Sequence, residues 1–336
     1  MYFAIISDKK ELTLKEIKSI LPNITAIKQL NENLITFDTS DEIEKLMDSG
    51  SVIKWGRVIP YQHFTTLINT DREVREKGRE LIKIGNFYGL VEGYQNIPLY
   101  EKIDFEKPAR SMQMGMMPAK LTHIMLNIGL SFLNPPYEGG HPSKAREGGI
   151  IYDPFAGSGT TCFLANYFGY ESIGSDIKTQ YFAENIDWWK KQADFIADKR
   201  IQIFNHDITQ NYTNEGKAFF SDKTPIIITE GRLGPIVNST TTTKSIQKYQ
   251  KQVEELYTTF LIKIQQDFGT IPMVFTIPYY LKTNSNTSNN TTTEISNTLD
   301  KTLENLSTEL GRNYDEISEV YARANQQVGR KIIILN

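Results

Sequence analysis

Three apolar runs in the middle of the chain each lead into an aspartate, and this pattern constrains the fold more than any other feature. Ile150-Ile151-Tyr152 leads to Asp153, the stretch 171–175 to Asp176, and the stretch 201–206 to Asp207. After Asp153 the chain reads Pro154-Phe155-Ala156-Gly157-Ser158-Gly159-Thr160-Thr161 and continues with helical character. Buried strand, glycine turn and helix form the repeating unit of open parallel α/β sheets, which take ligands at the carboxyl ends of their strands. Gly157 and Gly159 let the backbone turn tightly against such a ligand. The spacing is not the G-x-G-x-x-G of dinucleotide sites, and no Gly-Lys-Ser/Thr follows as in a phosphate loop. From Pro118 onward, helical and β-rich runs alternate, which predicts a doubly wound α/β sheet.

The first sixty residues read as a separate α+β unit. Strands are expected at 2–7, 24–30, 33–39 and 51–59, with helices at 12–21 and 41–48. The order β-α-β-β-α-β is that of a small ferredoxin-like domain. A charged amphipathic helix is expected over 70–85, a strand over 87–94 and a connector over 95–117. The polar runs 238–243 and 283–298 cannot bury apolar surface and are read as loops inserted in the second domain.

Bulk properties narrow the function classes. A length of 336 residues suits one large and one smaller domain. The net charge of −3 argues against general coating of nucleic acid but allows a local basic patch. The single Cys162 excludes an internal disulfide and a cysteine zinc site, and four scattered histidines predict no metal centre. No apolar run reaches the length of a membrane span. The N-terminal segment has neither a basic leader nor a long apolar core, so a cytoplasmic protein is expected.

The phrase DPFAGSGT (153–160) resembles the first motif of the S-adenosylmethionine-dependent methyltransferases that modify base amino groups. The resemblance implies a Rossmann-like class I methyltransferase domain over 118–336. It implies that Asp153, Phe155, Ala156, Gly157 and Gly159 hold the methionine part of S-adenosyl-L-methionine. Asp176 would bind the ribose and Asp207 lie at the adenine, with Ile177 also among the cofactor-binding residues. An acidic residue about twenty positions after the glycine loop is also placed by general α/β geometry to bind ribose hydroxyls. The segment 118–133, with Lys120, is similar to the family's helix that precedes the cofactor strand and closes over the methionine end. The stretches 106–129 and 321–335 resemble those of the tRNA guanine-N2 methyltransferases. These carry a ferredoxin-like domain and usually a THUMP RNA-binding unit ahead of the catalytic domain. Here 61–117 stands in the THUMP position, at reduced length.

Two segments compete for the catalytic loop. Asn134-Pro135-Pro136-Tyr137 has the family's letters, but it follows an amphipathic helix and precedes the cofactor strand. Prolines after a helix also serve as a stop. In an unpermuted sheet the loop follows the fourth strand, where the chain reads PIIIT and then Glu230-Gly231-Arg232-Leu233-Gly234-Pro235. Glu230 takes the place of the family's Asp or Asn, and the Pro-Pro-aromatic that follows is missing. An unpermuted domain is expected, with Glu230 accepting a hydrogen bond from the substrate amine and Arg232 holding a phosphate. The expected substrate is RNA, first of all tRNA at guanine N2. A DNA adenine-N6 or cytosine-N4 methyltransferase is the second reading, and a cofactor-binding adaptor without catalysis the third. The oligomeric state stays open.

Overall fold

The computed structural model describes residues 1–60, 80–110, 116–132, 149–220, 223–235, 237, 241–284, 291–294, 298–322 and 326–336. The chain forms two compact units that part between Tyr100 and Glu101.

The N-terminal unit is built on β1 (Tyr2–Ile6), α1 (Lys10–Ile20), β2 (Thr25–Asn31), β3 (Leu34–Asp38), a 3-10 helix (Ile43–Asp48), β4 (Val52–Pro60), β5 (Leu81–Ile84) and β6 (Phe87–Tyr94). The sheet order is β2-β3-β1-β4-β6-β5. Its first four strands, in the order β2-β3-β1-β4, reproduce the expected ferredoxin-like arrangement. Side chains alternate across the sheet. Ala4 and Ile6 pack with Ile17 of α1 and Leu21 just after it, whereas Phe3 joins Leu34, Ile84 and Val91 on the other face.

Three expectations need correction here. The unit does not end at residue 60, because β4 pairs along its length with β6. The expected helix over 70–85 is a strand in its last part, Leu81–Ile84; residues 61–79 lie outside the described residues. The competing signal is a hairpin: Ile84 faces Phe87 across the two-residue turn Gly85-Asn86, and Gly85 has φ +58°. A glycine with positive φ at the first turn position suits a tight hairpin, which overrides helical spacing. The second helix is a 3-10 turn rather than an α-helix.

Glu16 of α1 is fully buried. It accepts hydrogen bonds from Ser49 Oγ at 2.8 Å, Gly50 N at 2.7 Å and Ser51 N at 2.9 Å, and also from Ser51 Oγ. The carboxylate thus fixes the 49–51 turn that leads into β4.

The second unit begins with a short helix, α2 (Ile97–Glu101), at its border and a π-helical turn Lys102–Glu106. It continues through α3 (Ala119–Leu130), β7 (Gly149–Asp153), α4 (Thr160–Tyr167), β8 (Glu171–Asp176), α5 (Gln180–Trp189), β9 (Ile201–Asn205), α6 (Asn214–Ala218), β10 (Thr224–Glu230), α7 (Thr243–Phe268), β11 (Met273–Asn284), β12 (Thr291–Glu294), α8 (Leu299–Glu309), β13 (Tyr314–Tyr321) and β14 (Val328–Leu335). The main sheet order is β13-β14-β11-β10-β7-β8-β9. The strands from β11 to β9 pair in parallel, and β14 runs antiparallel to both neighbours.

Parallel strands covered on both faces must be apolar throughout. In β10, Ile227 joins Tyr152, Phe260, Leu261 and Ile264 in the core under α7. Ile226 and Ile228 face the other way, and Gly129 of α3 approaches so closely that an added Cβ would stand 2.3 Å from Ile228 Cδ1. β7 precedes β10 in the chain and pairs beside it in the order β11-β10-β7-β8-β9, so the domain is unpermuted as expected. The 134–137 segment lies outside the described residues. Part of the 283–298 run is not a loop, because Thr291–Glu294 pairs with β11.

Replacing Glu16 with alanine strands two hydroxyls and two backbone N–H groups in a dry site. The N-terminal unit should lose about 3 kcal/mol of stability. Hydrogen exchange of the β1 amides measures this; unchanged protection in Glu16→Ala would show that the buried carboxylate contributes little.

Candidate active site

The sheet reverses its order of construction at β7 and β10, and the crevice at their carboxyl ends is where such sheets bind ligands. Asp153 closes β7 and is 3% exposed. Its Oδ1 accepts from Phe155 N at 3.1 Å and from Thr229 Oγ1 at 2.5 Å, so it ties the loop to β10 across the crevice. Burial pushes its carboxyl up to about 6, with the Thr229 hydrogen bond opposing.

The glycine loop is anchored on the next strand. Ala156 N donates to Ser175 O at 3.0 Å, and Gly157 N donates to Asp176 Oδ2 at 3.0 Å. Gly157 and Gly159 have φ of +50° and +90°, conformations that favour glycine. A Cβ on Gly159 would also stand 2.5 Å from the Phe182 ring. The loop runs straight into the N-terminus of α4, whose first backbone N–H groups have no partner within the helix. Ile177, directly after Asp176, is 64% exposed. Phe155 turns into the core, with its ring 5.4 Å from that of Phe260.

The structure brings Asp153, Phe155, Ala156, Gly157, Gly159, Asp176 and Ile177 together around one loop. Asp207 stands beside them with a correction: β9 ends at Asn205, two residues earlier. Its Oδ1 accepts from Thr209 N at 2.9 Å and Thr209 Oγ1 at 2.7 Å, the closed turn of an aspartate that follows a strand. The preceding His206 N donates to Asp176 O at 3.1 Å, which keeps this turn next to β8. Lys120 lies half-buried on the first turn of α3.

Glu230 ends β10 and is held by Arg330 of β14. Arg330 Nη2 donates to Glu230 Oε1 at 3.1 Å and Arg330 Nε donates to Oε2, with both side chains 7% exposed. The opposite charge of Glu230 raises Arg330 above the ordinary arginine value against the effect of burial. Arg232, two residues on, is exposed. In the rest of the loop, Tyr280 Oη donates to Leu233 O at 3.2 Å, and Gly234 has φ +86°.

Two further residues at the site carry no sequence signal. Arg330 belongs to the last strand, one hundred positions from its partner. Lys107, in the expected connector, is 2% exposed and donates to Ser158 Oγ at 3.0 Å and Thr160 Oγ1 at 2.7 Å. Burial lowers its amine to about 7, with Asp104 opposing and Arg110 adding to the shift. Among the described residues, no group of His, Cys, Asp and Glu gathers that could hold a metal ion. No helix among them is long and apolar enough to cross a membrane.

The strand order β9-β8-β7-β10-β11-β14-β13 is that of the class I methyltransferase fold. A family model described as "DNA methylase" matches residues 142–187, the segment from the approach to β7 into α5. TrmN from Thermus thermophilus resembles the chain with a TM-score of 0.50 and 12% identity, over 100% of this chain and 98% of that one. An S-adenosylmethionine-dependent methyltransferase from Clostridium acetobutylicum covers 55% of this chain and 83% of its own, at TM-score 0.33 and 8% identity. Another from Methanosarcina mazei covers 57% and 94%, at TM-score 0.36 and 10% identity. No curated protein matches in sequence.

Two outcomes are expected. Asp153 titrates at 3.8 when unfolded and at about 6 in the fold. The folded state therefore binds this proton more tightly, and the contribution of Asp153 to stability is fully present below pH 4 and is lost as pH rises through 6. Asp153→Asn should be more stable than the native chain by about 2–3 kcal/mol at pH 7.5, with the gain vanishing near pH 4. Urea denaturation at both pH values measures it, and an equal gain at both would contradict the burial argument. Arg330→Met should cost about 3–5 kcal/mol by leaving a buried charge unpaired, and adding Glu230→Met should recover most of it. A double variant as unstable as the single one would contradict the pairing.

Proposed function

We propose that the chain transfers the methyl group of S-adenosylmethionine to an exocyclic amine of a nucleic-acid base, with guanine N2 of tRNA as the first candidate. The observation that carries this reading is the placement of the glycine loop between Asp153 and Asp176, with the carboxylate of Glu230 ending the adjacent strand.

The residues present fit the cofactor. Two positive-φ glycines and a helix N-terminus offer backbone N–H groups to a carboxylate. Asp176 would accept from ribose hydroxyls, exposed Ile177 would offer the adenine an apolar contact, and Asp207 would accept from its amino group. Ala156 and Gly157 would line the methionine side, Lys120 is the candidate from the preceding helix, and Phe155 packs from the loop into the core. Bound there, the cofactor supplies an electrophilic methyl group. The protein's part is to hold a base amine whose lone pair is delocalised into the ring. Glu230 can accept a hydrogen bond from it, because a carboxylate offers about four acceptor positions and Arg330 takes two. Arg232, exposed on the same loop, suits a phosphate.

The tRNA reading is supported by the ferredoxin-like unit ahead of an unpermuted domain and by a likeness to TrmN that spans the whole chain. The family model supports the DNA alternative. The Glu230–Arg330 pair favours a third reading, a cofactor-binding adaptor, because it occupies the group that should meet the amine.

Labelled S-adenosylmethionine incubated with the protein and either total tRNA or genomic DNA, followed by nucleoside analysis, separates these. Label in N2-methylguanosine is the expected result, and Glu230→Gln should lower transfer about a hundredfold while sparing cofactor affinity. Label in DNA adenine or cytosine selects the second reading. Binding without transfer to either selects the third, and no binding at all overturns the proposal.

A further inference from the structure

The segment that the sequence presents as a connector is built into the glycine loop from beneath. Lys107 reaches the hydroxyls of Ser158 and Thr160, the residues on either side of Gly159. Its ammonium also lies 6.0 Å from the centre of the Phe163 ring of α4. A second side chain, the fully buried Asn185 of α5, holds the same two strands of chain together. Its Oδ1 accepts from Ala109 N at 2.9 Å, while its Nδ2 donates to Ala109 O at 2.9 Å and to Ser158 O at 3.0 Å. Lys107 and Asn185 thus grip residues 158–160 through a carbonyl and two hydroxyls, leaving the opposite side of the loop to a ligand.

We propose that Lys107 and Asn185 are positioning residues that clamp the glycine loop in its ligand-receiving shape, and that loss of the Lys107 proton slackens the clamp and weakens binding of the methyl donor. The inference rests on the cofactor reading above.

The charge logic is local. The Phe163 ring faces Lys107 from α4 and the neutral hydroxyls of Ser158 and Thr160 face it from the loop, and no acid of α4, α5 or the loop bears on its charge. The charges that bear on it belong to its own segment, Asp104 favouring the ammonium and Arg110 opposing it. Buried so deeply, the amine titrates near neutrality, at about 7. As an ammonium it carries three donors and both hydroxyl oxygens accept from it. As a neutral amine it has one donor fewer and a lone pair that competes for the hydroxyl protons. Binding that requires the clamp therefore favours the protonated form, and affinity falls as pH rises through this range.

The test is calorimetric titration of the full chain with S-adenosylmethionine at pH 6.5 and 8.5, using the native protein, Lys107→Met and Asn185→Ala. Hydrogen exchange of the 157–160 amides, corrected for intrinsic rates, is followed in parallel. Subtracting the Lys107→Met profile removes the ligand's own titration. The native protein should show an extra loss of affinity of roughly tenfold between the two pH values. Lys107→Met should bind weakly at both pH values, without that extra loss and with low loop protection. Asn185→Ala should also bind weakly but keep the pH dependence, since Lys107 is intact. If Lys107→Met does not fold, the native and Asn185→Ala profiles decide. Native affinity and loop protection in Lys107→Met, or loop protection in the native chain that does not change with pH, overturns the clamp. If the native protein binds no S-adenosylmethionine the cofactor reading fails, and the exchange data still decide whether Lys107 holds the loop.

Discussion

A carboxylate buried at the end of the central strand organises the second unit. Asp153 binds the first amide of the glycine loop and the hydroxyl of Thr229, and so fixes the loop and β10 to each other at the point where the sheet reverses. Burying an acid where its charge is disfavoured is costly to stability. The same placement gives the crevice a fixed rim, because a loop held at Asp153, Ser175 and Asp176 has little freedom left. Glycine at 157 and 159 then becomes a requirement of geometry, set by positive φ and, at 159, by the Phe182 ring.

Around that rim the domain uses ion pairs and hydrogen bonds at two depths. Asp176 and Asp207 are at least partly open to solvent and partly committed to their own turns. The side chains of Glu230, Arg330 and Lys107 are buried, and each is hydrogen-bonded within the protein. The Glu230–Arg330 pair links the end of β10 to the C-terminal strand β14, so the last strand of the fold holds the carboxylate that closes β10. Pairing of this kind orients a carboxylate and keeps it from drifting, at the expense of half of its acceptor capacity.

The parts of this arrangement legible in the sequence are those with local causes. Strands β7, β8 and β10 show as apolar runs, the loop shows as spaced glycines, and the unpermuted order follows from which runs precede and follow Asp207. Sequence pattern failed where a residue's role depends on distant partners. The helical spacing of Leu12, Leu14, Ile17 and Ile20 carries no sign of the role of Glu16, which binds a turn 34 residues away. Lys107 meets its partners 51 and 53 residues on, and Arg330 meets Glu230 one hundred residues back. The strand at Leu81–Ile84 was masked by the helical spacing of the charged stretch before it, although Gly85-Asn86 carried the hairpin signal.

The central claim is that the loop between Asp153 and Asp176 receives S-adenosylmethionine. It is tested most directly by an amide NMR titration of the full chain with that compound. The account predicts saturable shifts concentrated at Ala156, Gly157, Ser158, Gly159 and Ile177, with the amides of β1 to β4 unmoved. Saturable shifts that map elsewhere, or a loop that does not respond at any concentration, would contradict it.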